Sequence, residues 1–140
     1  YGHERRGAPV FTDVVMDDKP VLVNCFVYTP DIVVVMDETI IQKHVDVSKG
    51  ITNETILVLN ASSEAVARKF RTVYYVNATQ VALDNIGKGI PNGSTLGALA
   101  KTGVVSIESV EKALIEFFGE KAGAKNAKAA RDSYNQTRQM

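Results

Sequence analysis

The chain is short of the side chains that most often carry metal or nucleophile chemistry. Its 140 residues include one cysteine, Cys25, two histidines, His3 and His44, and no tryptophan. A single cysteine excludes an intrachain disulfide. It also excludes a zinc or iron–sulfur site built from this chain's cysteines alone. A Ser-His-Asp triad or a histidine metal site needs several groups to converge. Nothing in the spacing sets His3 or His44 beside a nucleophile or a second ligand, and His44 reads as part of a solvated helix or loop. An excess of charge of either sign is missing too, with 16 basic residues against 16 acidic ones. That balance argues against general binding to nucleic acid or to a membrane surface, both of which normally call for a basic face. There is no apolar run of the ~18 residues that would suggest a membrane-spanning helix.

What is present is ordinary for one globular domain. Hydrophobic residues make up 45% of the chain and charged residues 23%, enough to build a core and keep a solvated surface. The length predicts a single domain over residues 1–140. Ile32 to Met36 is a solid apolar run bounded by Pro30-Asp31 and Asp37, and Ile56 to Leu59 repeats the pattern. Such runs suit strands buried on both faces, as in parallel sheets. Thr72 to Val76 is a further strand. Val10 to Met16 and Val21 to Tyr28 read as two extended segments around the Asp17-Asp18-Lys19-Pro20 turn, and could form an antiparallel excursion.

Helical patterns alternate with these strands. The first runs from Ser63 to Phe70 behind a Ser62 cap. The second runs from Thr79 to Ile86 and stops at Gly87, a favourable C-terminal residue. A third, from Ser94 to Lys101, is small and apolar. Ser106 caps a fourth, whose stripe of Ile107, Val110, Leu114, Phe117 and Phe118 ends at Gly119. The Ala- and Lys-rich stretch from Ala122 to Arg138 is expected to be a helix on the surface or against a partner. The alternation predicts an α/β layered domain with a mostly parallel, mixed sheet flanked by helices.

Several residues invite a functional reading beside a structural one. Arg5 and Arg6, next to Glu4 and Gly7, could grip a carboxylate or phosphate through bidentate bonds. Anchoring of a loop at a subunit interface is the preferred reading. Asp37 ends the strongest strand, where ligand crevices open in α/β sheets. It could equally cap a helix over Glu38 to Gln42. The loop Gly87 to Ser94 runs into a helix and resembles a phosphate-holding turn, but it lacks the G-x-x-x-x-G-K-[ST] pattern, so a tight turn is preferred. Asn92 or Ser94 could cap the helix that follows. Cys25, between Asn24 and Phe26, reads as a small buried hydrophobe. Five Asn-x-Ser/Thr triplets, at Asn53, Asn60, Asn77, Asn92 and Asn135, would fit a secreted glycoprotein. Capping of helices after strands by Asn60 and Asn77 is the simpler account. No constellation of catalytic residues is apparent.

Tyr1-Gly2-His3-Glu4-Arg5-Arg6-Gly7-Ala8-Pro9-Val10 opens the chain. Asp18-Lys19-Pro20, the Tyr28 to Asp37 strand, Gly89-Ile90-Pro91-Asn92 and Leu96-Gly97-Ala98-Leu99-Ala100-Lys101-Thr102-Gly103 follow in order. Together they resemble the gamma subunit of the pyruvate:ferredoxin and related 2-oxoacid:ferredoxin oxidoreductases, over roughly Tyr1 to Phe118. The Arg5-Arg6 form with Ala8-Pro9-Val10 looks closer to the pyruvate and branched-chain types. The resemblance implies a gamma-type domain of an enzyme that oxidatively decarboxylates a 2-oxoacid to an acyl-coenzyme A, reducing ferredoxin or flavodoxin in the cytoplasm of an anaerobic cell. It implies alpha-, beta- and delta-type partner subunits. Thiamine diphosphate, Mg and 4Fe-4S clusters would sit on those partners and none on this chain, with no nucleic acid or membrane as partner. On this view Arg5, Arg6, Asp37, Asn92 and Ser94 touch substrate, coenzyme or a neighbouring subunit. Two departures stand out. The family's glycine-rich stretch after a first strand is absent, so the chain is expected to be the C-terminal part of a longer subunit. Asn77-Ala78-Thr79 stands where relatives usually carry Asp-Ala-Thr. The competing reading is a free-standing small-molecule or nucleotide-binding module using Asp37 and the Gly87 to Ser94 loop.

Overall fold

The computed structural model of the chain describes residues 8–62 and 69–140. Its centre is a four-stranded sheet in the order β1 (Ile32–Val35), β2 (Ile56–Asn60), β3 (Thr72–Val76), β4 (Arg138–Gln139). β1 pairs parallel with β2 from Ile32 opposite Ile56 to Val35 opposite Leu59. β2 pairs parallel with β3 from Ile56 opposite Thr72 to Asn60 opposite Val76. β4 closes the far side antiparallel, with Arg138 opposite Tyr75. The sheet is therefore mixed and mostly parallel, as the strand patterns predict.

The uninterrupted apolar run of β2 is explained by what lies on its two sides. Leu57 and Leu59 join Val35, Ala61 and Val73 on one face, with Ile41, Val47 and Phe70 packed against them. Val58 joins Val76, Ala78, Val81, Ala98 and Ala129 on the other, under the helices. Leu57, Val58 and Leu59 are fully buried. Each such side chain contributes about 1.5–3 kcal/mol of burial, so neither face can tolerate a polar residue there. Thr55, just before β2, donates its hydroxyl to the Pro30 carbonyl at 2.9 Å, fastening the starts of β1 and β2 together.

The helices are α1 (Thr39–Gln42), α2 (Ala78–Ile86), α3 (Asn92–Lys101) and α4 (Ile107–Gln136). Asn77 caps α2 by accepting the Gln80 N–H at 3.0 Å, and Gly87 ends it in the left-handed conformation at φ 78°. Ser106 caps α4 by accepting the Ser109 N–H at 3.1 Å. Gly119, at φ 84° and ψ 171°, breaks α4 into two arms. A residue with a Cβ would resist that geometry. The arms meet closely: a Cβ on Gly123 would lie 2.5 Å from the Ile115 Cα. Arg131 of the second arm pairs with Glu111 and Glu108 of the first.

Several expectations are corrected. Residues 10–16 and 21–28 form no strand, and the antiparallel member of the sheet is β4 at the other end of the chain. Cys25 is exposed, because among the described residues nothing covers the extended segment around it. In the Ile107 stripe, Ile107, Val110 and Leu114 are buried, but Phe117 and Phe118 are 82% and 44% exposed. The break at Gly119 turns the chain away before those two rings reach the core. The Ala-rich second arm finds its partner inside the chain: Ala127, Ala129, Ala130 and Ser133 are buried. Its facing helix is α3, whose Gly97 lies so close that a Cβ would sit 1.9 Å from the Ala130 carbonyl oxygen. Residues 63–68 of the expected Ser63 to Phe70 helix, with Arg5 and Arg6, lie outside the described residues.

Gly97→Ala is the sharpest test of this packing. Neither the Ala130 backbone nor α3 can move without disturbing the sheet face beneath. Thermal unfolding should show a loss of about 3 kcal/mol, at the upper end for overpacking. Unchanged stability would mean that the two helices do not meet at Gly97.

Candidate functional site

In a parallel sheet the strands end together, and the loops leaving them converge. Here the carboxyl ends of β1, β2 and β3 lead into Met36-Asp37, Asn60-Ala61 and Asn77-Ala78. Asn60 organises this end. Its Nδ2 donates to the Met36 carbonyl at 2.8 Å and to the Thr79 Oγ1 at 2.9 Å. Its Oδ1 accepts the Thr79 N–H at 3.3 Å. Asn60 is expected to cap a helix after its own strand, whose start lies outside the described residues; among the described residues it reaches the first turn of α2 and holds the end of β1. The amide is buried, so its three bonds replace those it would make with water.

A second helix start is brought to the same end. After Gly87 the chain runs back along α2, with Gly89 against the Thr79 and Leu83 side chains. Ser94 then donates its hydroxyl to the Ala78 carbonyl at 2.8 Å and to Pro91 at 3.1 Å. The helix begins at Asn92, with Pro91 before it and no side-chain cap, so neither Asn92 nor Ser94 caps α3. Asp37, Asn92 and Ser94, far apart in sequence, thus lie at one end of the sheet. Asp37 and Asn92 are exposed there, and Ser94 is fully buried with its hydroxyl committed.

Asp37 has local partners. Its Oδ1 accepts the Thr39 hydroxyl at 2.7 Å and the Thr39 N–H at 2.9 Å, as a residue opening a helical turn does. The Thr39 hydroxyl, and after it the Thr39 amide, hold its carboxyl below the usual carboxylate range, with a smaller push from Lys43. The carboxylate is therefore ionised at neutral pH. Because its folded-state value is depressed, it favours the fold above the ordinary carboxylate range, and that contribution is lost as pH falls through the folded value.

A concavity lies at the break in α4. Ile86, Lys88, Phe118, Lys121, Lys125 and Asn126 are among the residues lining a shallow cleft of about 520 Å³. Among the described residues no three of His, Cys, Asp and Glu gather as a metal ion would need. His44 sits in an exposed turn at φ 62°. Among the described residues no helix is long and apolar enough to cross a membrane. Sequence reasoning missed the Asn60–Thr79 clamp. Its only signal is a polar residue closing a wholly apolar strand, which reads equally well as a cap.

Comparison with known proteins gives this architecture its relatives. The family described as pyruvate ferredoxin/flavodoxin oxidoreductase matches residues 1–136. The common subunit gamma of pyruvate/ketoisovalerate oxidoreductases from Pyrococcus abyssi is 41% identical over 144 aligned positions, covering 98% of this chain and 77% of that protein. Pyruvate synthase subunit PorC from Methanocaldococcus jannaschii is 42% identical over 137, covering 97% of this chain and 76% of that protein. The crystal structure of the pyruvate oxidoreductase subunit PORC from Thermotoga maritima superposes with a TM-score of 0.72 at 33% identity. It covers 81% of this chain and 66% of its own.

Asn60→Ala should cost about 1–3 kcal/mol in chemical denaturation, because the Met36 carbonyl and Thr79 hydroxyl lose a partner. Thr39→Val should raise the Asp37 pKa towards its ordinary value in an NMR titration. An unmoved Asp37 would mean that Thr39 does not hold that carboxylate.

Proposed function

This chain belongs to the pyruvate ferredoxin/flavodoxin oxidoreductase family, and from that premise we propose that it is a gamma-type subunit of a 2-oxoacid:ferredoxin oxidoreductase, with pyruvate the preferred substrate. The supporting observation is the match over residues 1–136 together with about 41% identity to subunits of pyruvate and ketoisovalerate oxidoreductases. The complex would convert the oxoacid and coenzyme A to an acyl-coenzyme A and pass electrons to ferredoxin or flavodoxin. Its setting would be the cytoplasm. The chain would be one gamma-type domain of a longer subunit.

The donor set of this chain does not fit the cofactors of such chemistry. A 4Fe-4S cluster takes four cysteine thiolates, and the sequence has one cysteine. The Mg that accompanies thiamine diphosphate takes oxygen ligands, and the described residues hold no carboxylate cluster. We therefore place thiamine diphosphate, Mg and the clusters on alpha-, beta- and delta-type partners, and derive no chemical step on this chain. Its role is to complete the assembly. Arg5, Arg6, Asp37 and Asn92 are the side chains proposed to meet a neighbouring subunit or coenzyme, with Ser94 setting the helix start beside Asn92.

Oxygen-free purification through a tag on the full-length chain tests this. Larger partners should come with it, and pyruvate plus coenzyme A should drive viologen reduction. A colourless, inactive chain that runs alone and binds nucleotide in calorimetry would point to the free-standing binding module instead. Within the complex, Arg5→Ala should reduce recovery of partners while leaving the KM for coenzyme A unchanged. A raised KM with full assembly would make Arg5 a ligand contact.

A further inference from the structure

We draw no further inference here: the strongest candidate, the shallow cleft at the break in α4 bordered by Lys88, Lys121 and Lys125, lies open at the surface of a chain that spans about three quarters of the relatives it matches, and nothing in the structure shows what covers it.

Discussion

The close approach of α3 to the second arm of α4 is the constraint on which the rest of the molecule depends. Gly97 allows the two backbones to meet where a Cβ would lie 1.9 Å from the Ala130 oxygen. Small residues on both sides, Ala98 and Ala100 against Ala127, Ala129 and Ala130, bring the pair flat onto the helix-bearing face of the sheet. Three consequences follow. The last turn of α4 delivers Arg138 and Gln139 to the edge of β3, making the sheet mixed. The first arm is folded back under Arg131, with the left-handed Gly119 as its corner. At the other end of α3, Ser94 reaches the Ala78 carbonyl, so the start of α3 stands beside the start of α2 where the strands finish.

What could be read from the sequence followed from patterns with one physical cause. Solid apolar runs marked β1 and β2; burial on both faces accounts for β2, whereas β1, paired on one side, leaves Val34 40% exposed, a departure from the expected two-sided burial. Asn77, Gly87 and Ser106 marked helix ends through caps that are local in sequence. The misses share a different cause, since each depends on a contact distant in the chain. Val10 to Tyr28 carries strand-like residues, but nothing in the described structure pairs with it. Phe117 and Phe118 keep the helical stripe but lie past the point where Gly119 redirects the chain. The Ala-rich arm reads as a helix on the surface or against a partner, and its partner inside the chain goes unseen because that surface is made of glycine and alanine, which carry little hydrophobic signal. β4 is two polar residues long, below any sequence pattern. The candidate site was legible in part. Asp37 and Asn92 do come to one end of the sheet, but Asn60, which holds that end together, read only as a cap.

These features agree with a subunit whose work lies in assembly. The chain is neutral, offers one exposed cysteine and keeps its best-placed carboxylate tied to Thr39. Among the described residues, polar groups at the strand ends bond to one another, as Asn60 does to Thr79 and Ser94 to the Ala78 carbonyl, which stiffens that end. Its exposed apolar side chains concentrate in residues 10–28 and at the corner of α4.

The most direct measurement is an omission experiment. The other subunits are assembled with and without the full-length chain, and iron, thiamine and pyruvate-dependent viologen reduction are determined for each. The account predicts unchanged iron and thiamine in the remaining subunits, with activity restored only when the chain is added back. Iron or thiamine bound to the chain itself, or full activity without it, would contradict the account.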